Sequence, residues 1–169
     1  MRAHAVVGRV ARCWLVKSEP DVYSIEYLER DGVTQWDGVR NYLARNLMRD
    51  QMKIGDRILF YHSNAKPPGV AGLARVAREG YPDPSAFDPK DSHFDAKSDP
   101  KRPTWMMVDV AYVETFPALV PSARLRDDPA LAGMPLLQPF QRLSVQPVEA
   151  RQFSRVVALG RARRQVASR

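Results

Sequence analysis

The stretch from Trp36 to Asn46 has the clearest potential for ligand chemistry in this chain. It places an indole before an Asp-Gly turn, and a helix rich in arginine and asparagine follows at once. An aromatic ring can stack on a nucleobase, and an asparagine amide can both donate to and accept from a base edge. We therefore predict a pocket for a flat polar ring, with Trp36 as a wall and Asn41 at the base edge. Trp36 could instead be a core residue, and Asn41 could equally cap the helix.

Two further stretches, residues 14–20 and 60–63, are expected to converge on this pocket, because strand ends meet where clefts form. Lys17 and Ser18 follow a short apolar strand, and Trp105 follows a proline-rich loop as a candidate second wall. Ser18 could instead cap a turn, and Trp105 could belong to the core. The complete predicted base-binding set is Lys17, Ser18, Trp36, Asn41, Tyr61, His62, Ser63 and Trp105.

Arginines on the helix after the turn are the candidate phosphate ligands. Arg45 and Arg49 are four residues apart and share a helix face with Asn41, while Arg40 lies at the start of the segment. Guanidinium groups suit the phosphates of a nucleic-acid backbone. We predict Arg40, Arg45 and Arg49 as phosphate-binding residues, with an ordinary solvated helix face as the alternative.

The overall charge says little about the partner. The formal net charge is +7, from 26 basic and 19 acidic side chains. The excess comes from seven arginines in residues 1–12 and 160–169, which contain no acid, so the body between them is balanced. We predict a flexible basic arm (1–12), one globular domain (13–160) and a basic tail (161–169).

The single cysteine, Cys13, excludes a disulfide framework and a cysteine-based zinc site. It favours a reducing compartment, and we expect a cytoplasmic protein. No apolar run approaches the roughly 20 residues that a membrane span requires, so no membrane association is expected.

Catalytic and metal-binding patterns are weak. His62 and Ser63 are adjacent in a strand, so their side chains should point to opposite faces and not form a base–nucleophile pair. His93 and Asp95 could ligate a metal, but a third ligand is lacking. We therefore expect no enzyme, no cofactor and no metal, with a hydrolase using His62 and Ser63 as the least favoured alternative.

Hydrophobic patterns predict strands dispersed among short helices, which is typical of an α+β fold around a small barrel. Helices are expected from Ser24 to Gly32, from Val39 to Lys53 along an apolar stripe, and from Glu149 to Leu159 with Gly160 as a C-terminal stop. The predicted stripe comprises Val39, Leu43 and Leu47. Strands are expected at 13–16, 57–61, 69–77, 105–113 and 143–147, and a long loop at 80–103.

Several motifs in order resemble the EVE domain over about residues 13–160. They are the segments 14–20 (WLVKSEP), 36–46 (WDGVRNYLARN), 55–63 (GDRILFYHS), 69–72 (GVAG) and 105–110 (WMMVDV). The resemblance implies a PUA-like pseudo-barrel and a non-catalytic reader of a modified nucleobase in DNA or RNA. Lys17, Ser18 and Trp36 match positions that line the base pocket of the related YTH domains. Leu43 stands where EVE proteins commonly have glutamine.

A competing hypothesis is that the same pocket binds a small molecule or a free nucleotide. The chain would then be a small-molecule-binding domain or an accessory domain of a nucleic-acid modification system. The two hypotheses differ in salt dependence, because only polynucleotide binding releases many counterions. The sequence does not determine which modified base is bound or the oligomeric state, for which a monomer is favoured.

Overall fold

One mixed sheet of six strands organises residues 8–162, the part of the chain described by the computed structural model. Its strands are β1 (Cys13–Ser18), β2 (Val33–Gln35), β3 (Arg57–His62), β4 (Gly69–Pro82), β5 (Met106–Pro121) and β6 (Val145–Val148). The helices are α1 (Ile25–Asp31), α2 (Tyr42–Asp50), α3 (Ser122–Arg126) and α4 (Ala150–Arg161). Short 3₁₀ turns occupy Pro84–Phe87, Pro129–Leu131 and Pro135–Leu137.

The strand order is β2-β5-β4-β3-β1-β6, and β1 and β3 are neighbours that pair in parallel. A parallel pair needs a crossover, which α1, β2 and α2 supply. Both faces of these strands are covered, which explains why they are continuously apolar and not alternating. The neighbouring pairs are antiparallel.

Two hydrophobic clusters cover opposite faces of the sheet. Trp14 and Phe60 point into one cluster, where α1 and α2 add Leu28 and Met48. Alternate residues of the same strands point into the other cluster, where α4 adds Phe153. The period of two along each strand therefore distributes one apolar run between two cores.

The sheet curls into a PUA-like pseudo-barrel, which confirms the α+β fold expected from the sequence. Strands β4 and β5 span 14 and 16 residues, and their pairing register shifts at four places. Such irregularities bend and twist a strand, so the long pair can wrap around the core. The edge strands β2 and β6 are thereby brought toward the same side of the molecule, where a cavity opens.

Several sequence-based expectations about the elements are wrong. Helix α2 begins at Tyr42, three residues later than predicted, and buries Ala44 and Met48. Leu43, on the predicted stripe, is 64% exposed. The first residues of the predicted loop at 80–103, up to Pro82, belong to β4, and β5 continues to Pro121. Long paired strands can contain the glycines and prolines that suggested loops in the sequence.

Gly160 lies inside α4 and does not end it. A Cβ atom at this position would lie 2.3 Å from the ring of Phe116, so the glycine allows the helix to approach β5. The sequence suggested a stop because glycine is common at helix ends, whereas here close packing requires it.

Part of each basic terminus packs on the domain. Arg9 donates to the buried carboxylate of Asp56, which also accepts from the Trp14 indole, and Arg161 pairs with Glu114. The predicted arm and tail extend beyond these contacts to residues 1–7 and 163–169, which lie outside the described residues. Within residues 8–162, no helix has the length and apolar character needed to cross a membrane.

Candidate nucleic-acid interface

A cavity of about 530 Å³ opens between the two edges of the sheet. This volume is typical of a site for a small organic ligand. We call it the indole cavity, after Trp36 in its wall. Its lining residues are Lys17, Ser18, Glu19, Val22, Tyr23, Thr34, Gln35, Trp36, Asp37, Gly38, Val39, Arg40, His93 and Ser144.

Trp36 belongs both to the core and to the cavity wall. The residue is 9% exposed, and its ring meets Phe60 edge to face, with 5.6 Å between the ring centroids. Its backbone N–H donates to the carbonyl oxygen of Val108 at 2.8 Å, which continues the pairing of β2 with β5. The indole is thus held by the core and the sheet while its remaining surface faces the cavity.

The turn that follows Trp36 is fixed by a buried carboxylate far away in the sequence. Asp83 accepts from the Gly38 N–H and from the Arg40 guanidinium, at 2.9 Å each. Burial alone would raise the pKa of Asp83, but hydrogen bonds from Ser85, Arg40 and Gly38 outweigh burial and hold the pKa below its usual value. Asp83 therefore stays charged and locks the turn.

Gly38 allows a close approach on this turn. Its φ is +76°, and a Cβ atom would lie 2.6 Å from Nε2 of His93. A side chain at position 38 would strain the backbone and displace the His93 ring from the cavity rim. The glycine is thus required twice, for its conformation and for its size.

Lys17 and Ser18 form the opposite side of the cavity, at the end of β1. The Lys17 N–H donates to the Ser144 carbonyl at 2.8 Å, and the Ser18 hydroxyl donates to the carbonyl oxygen of Tyr23. Partial burial lowers the pKa of the Lys17 ammonium below its ordinary value. The Ser18 hydroxyl proton is thus already used within the protein, and only its oxygen lone pairs remain for a ligand.

Asp37 is the cavity carboxylate closest in sequence to the indole. Its side chain is accessible to solvent, yet the cavity wall desolvates it in part. This desolvation and the negative charge of Asp83 raise the pKa of Asp37 above its ordinary value. A carboxylate in this position can accept a hydrogen bond from an exocyclic amino group of a base.

Two predicted pocket residues, Asn41 and Trp105, lie outside the indole cavity. The Asn41 side chain caps α2 by accepting from the Ala44 N–H at 3.1 Å, which is the alternative noted from the sequence. The Trp105 indole donates to Asp95 at 2.8 Å, and its ring packs on Tyr42 with centroids 4.9 Å apart. Trp105 therefore does not face Trp36 as a second wall.

Tyr61, His62 and Ser63 also lie outside the indole cavity. His62 is buried, and its Nε2 accepts from the Ile25 N–H at 3.1 Å, so this nitrogen is not available to Ser63 as a base. The Ser63 N–H donates to the Ser18 carbonyl at 2.9 Å. The expectation that Trp36, Ser18, Asn41 and Ser63 border one cavity is wrong for Asn41 and Ser63, because α2 and the end of β3 turn these side chains elsewhere.

The three predicted phosphate ligands are engaged in contacts within the protein. Arg40 binds Asp83 and, at 2.7 Å, the His93 carbonyl. Arg45 donates to the Thr104 carbonyl at 2.9 Å, and Arg49 pairs with Asp50 at 2.7 Å. Of the three arginines, Arg40 alone lines the indole cavity. Their binding to phosphate stays a prediction.

Several cavity residues were missed from the sequence, including Tyr23, Thr34, Gln35 and His93. Asp37 lies within the quoted WDG motif but was assigned only to the turn. His93 comes from the proline-rich loop, whose length did suggest a functional role. Within residues 8–162, no three side chains among His, Cys, Asp and Glu come together as a metal site would require.

Comparisons with known proteins place this fold in a recognised group. The sequence model of the EVE domain matches residues 12–159. Thymocyte nuclear protein 1 of Homo sapiens is 41% identical over 164 residues, which cover 86% of this chain and 72% of the human protein. The protein of the same name from Danio rerio is 42% identical over 164 residues, covering 86% of this chain and 71% of the fish protein.

Solved structures agree with these matches. A crystal structure of a Pseudomonas putida protein has a TM-score of 0.84 and 50% identity, covering 87% of this chain and 98% of that chain. The human THYN1 protein in complex with 5-methylcytosine containing DNA has a TM-score of 0.84 and 39% identity, covering 90% of this chain and 99% of that chain.

Proposed function

Because the chain belongs to the EVE domain family, we propose that it is a non-catalytic reader of a modified base, 5-methylcytosine in DNA. The observation that carries the proposal is the indole cavity: a site of ligand size with Trp36 in its wall, in a fold shared with a relative whose crystal structure contains 5-methylcytosine DNA. A flat heterocycle fits such a wall better than a flexible ligand does, because stacking requires two planar faces.

A base in a duplex reaches this cavity only if it leaves the helical stack. Extruding a base costs a few kcal/mol, and stacking on an aromatic ring returns about 1–3 kcal/mol. Trp36 is suited to this role since its contact with Phe60 fixes the ring before the base arrives. A wall that is already ordered loses little entropy on binding.

Asp37 would supply the base-specific hydrogen bond. Cytosine presents an exocyclic amino donor where thymine presents a carbonyl acceptor, and a carboxylate accepts only from the former. A 5-methyl group adds apolar area without changing these hydrogen bonds. The cavity would thus read cytosine through Asp37 and the methyl group through apolar contact with its wall.

A binding role accounts better than catalysis for how the polar groups are used. The Nε2 atom of His62 accepts from the Ile25 amide, so this nitrogen is not free to act as a base for Ser63. No observation favours a hydrolase, and none favours a free nucleotide over a polynucleotide. Cys13 is a free buried thiol, in keeping with the cytoplasmic location that we propose.

The proposal is tested by titrating the protein with duplex oligonucleotides that are identical except at one base. The panel contains cytosine, 5-methylcytosine or thymine at that position, and RNA of the same sequence. We expect the tightest binding for 5-methylcytosine DNA and weaker binding for cytosine, since the methyl contact is lost. Thymine should bind worse still, because its carbonyl faces the Asp37 carboxylate.

Equal affinity for all duplexes would contradict base reading, and tighter binding to the RNA would move the substrate to that polymer. Repeating the titration with free 5-methyl-2′-deoxycytidine separates the competing hypothesis. A free nucleoside that binds as tightly as the oligonucleotide, with the same small salt dependence, would favour a small-molecule site.

A further inference from the structure

A second cavity of about 520 Å³ lies next to the indole cavity, and nothing in the proposed function uses it. It is formed by the end of β3, the last turn of α3 and the segment between the 3₁₀ turn at Pro135–Leu137 and β6. We call it the arginine cavity. Its lining residues are Lys17, Tyr61, Arg126, Leu136, Leu137, Gln138, Pro139, Phe140, Gln141 and Arg142.

The lining of the arginine cavity has three cations and no carboxylate. Lys17, Arg126 and Arg142 provide the positive charges, and the remaining polar groups are the Tyr61 hydroxyl and side-chain amides. The Lys17 ammonium makes only a long contact, 3.4 Å, with the Gln141 carbonyl. Arg126 likewise makes a long contact, 3.4 Å, with the Ser122 hydroxyl, whereas Arg45 and Arg49 on α2 contact neighbouring residues at 2.9 and 2.7 Å.

Lys17 lines both cavities, so a strand that places one nucleotide in the indole cavity passes this residue. The phosphates on that side would reach the arginine cavity next. Successive phosphates of one strand are several ångströms apart, and cavities that share a wall residue are close enough for neighbouring phosphates to bind. The position of the cations therefore matches the path of the backbone.

Phe140 projects from the rim of the arginine cavity. Its side chain is 95% exposed, and its backbone adopts a φ of +59°, which is uncommon for a residue with a bulky side chain. An exposed phenylalanine beside cations can stack on an unpaired base, as aromatic side chains do in proteins that bind single strands. Apolar side chains also enter the stack of a deformed duplex.

We infer that the arginine cavity binds the backbone phosphates next to the extruded nucleotide and that Phe140 stacks on the adjacent base. The inference rests on the proposed function, because the indole cavity supplies the extruded nucleotide. It assigns the electrostatic part of binding to Lys17, Arg126 and Arg142, and not to the predicted face of α2.

The salt dependence of binding tests the electrostatic part. A duplex with one 5-methylcytosine is titrated between about 50 and about 200 mM salt, and the slope of log affinity against log salt is measured. Replacing two phosphate contacts, with Arg126→Ala and Arg142→Ala together, should flatten the slope by about 2. The same variant should bind free 5-methyl-2′-deoxycytidine, followed by NMR, as the unmodified chain does.

Two matched double variants decide where the phosphates lie. Arg124→Ala with Lys101→Ala removes the same charge from exposed positions that line neither cavity, and its slope should stay nearly unchanged. Arg45→Ala with Arg49→Ala tests the face of α2. An unchanged slope in the Arg126 and Arg142 variant, or a larger change in the α2 variant, would overturn the inference.

Phe140→Ala tests the stacking part and should weaken duplex binding about tenfold, the lower part of the range for one base–aromatic stack. Phe94→Ala, which removes a half-exposed phenylalanine that lines neither cavity, is the control and should have no effect. Equal affinity of the Phe140 variant would reject stacking. A parent chain that binds neither duplex nor nucleoside would instead reject the proposed function, which makes the two failures distinguishable.

Discussion

Trp36 shows how one side chain can serve both folding and binding. The ring packs on Phe60 in the core and keeps a small exposed surface toward the indole cavity. Binding and stability at this position are therefore coupled, and a test must measure both. The alternatives considered from the sequence, core residue or pocket wall, do not exclude each other.

The first prediction concerns Trp36→Ala. Loss of a large buried ring should lower the free energy of unfolding by about 3–5 kcal/mol, and loss of the stack should weaken binding of 5-methylcytosine DNA by about 1–3 kcal/mol. Urea unfolding and duplex titration measure the two quantities. Phe153→Leu is the control, because it reduces the hydrophobic cluster on the opposite face of the sheet and leaves Phe60 and the wall of the cavity in place. If both variants weaken binding equally at equal folded fraction, Trp36 has no direct contact with the base.

The second prediction concerns Asp37, whose carboxylate lines the indole cavity. Asp37→Ala should leave the melting temperature nearly unchanged, since surface substitutions usually stay within about 0.5 kcal/mol. It should remove most of the preference for 5-methylcytosine over thymine in the duplex panel, because the acceptor for the amino group is gone. A variant that keeps the full preference would assign base reading to another residue, such as Gln35 or Thr34.

At the level of elements, the loop from Trp36 to Arg40 depends on its partners in the proline-rich loop. Asp83 holds Gly38 and Arg40, and the His93 ring packs where a Cβ of residue 38 would lie. The segment is therefore ordered by contacts between two loops and not by regular secondary structure. Such a rim is stable only while both loops keep their positions.

The third prediction compares two glycines with the same φ. Gly38 and Gly32 have φ values of +76° and +75°, but a Cβ at position 32 would meet nothing within 4 Å. Gly32 has φ +75° and ψ −47°, a sparsely populated backbone region, so Gly32→Ala should cost about 1–3 kcal/mol of stability. Gly38→Ala should cost more and should also weaken duplex binding, because His93 must move. Adding His93→Ala to Gly38→Ala should restore only the stability that Gly38→Ala loses beyond the cost of Gly32→Ala. If the two alanine substitutions cost equal stability, the His93 ring can move away from position 38 without an energetic cost.

At the level of the whole molecule, His62 couples stability to pH. Burial lowers the pKa of His62 below its ordinary value of 6.5 and outweighs the negative charge of Glu26, which acts in the opposite sense. The unfolded chain consequently takes up a proton at higher pH than the folded chain does. Stability should therefore decrease as the pH falls below about 6.5, until the folded state is also protonated.

The fourth prediction follows from this sign. His62→Gln, which removes the titrating group, should reduce the loss of unfolding free energy between about pH 7.5 and about pH 5.5. Urea unfolding at the two pH values measures the difference. The variant is expected to be less stable at the higher pH, where neutral His62 accepts from the Ile25 amide in the parent chain. An identical pH dependence in both chains would mean that other groups cause the loss.

The sequence by itself determined the features that depend on short-range order. Alternating and continuous apolar runs predicted the central strands, and the combined motifs indicated the EVE domain. It also selected Lys17, Ser18 and Trp36, which lie together in the wall of the indole cavity. These residues occupy a strand end or the residue before a turn, and such positions can be recognised from neighbouring residues alone.

The tertiary structure decided which polar groups remain available to a ligand. The sequence suggests that Arg40 is a free cation, yet it forms an ion pair with Asp83, which lies 43 residues away in the chain. The Asn41 side chain similarly accepts from a backbone N–H of α2, and the His62 side chain accepts from a backbone N–H of α1. A hydrogen bond depends on distance in space, and residues far apart in the chain meet only after the long strands β4 and β5 have bent. For the same reason the cations of the arginine cavity, Lys17, Arg126 and Arg142, share a surface that no local pattern in the sequence reveals.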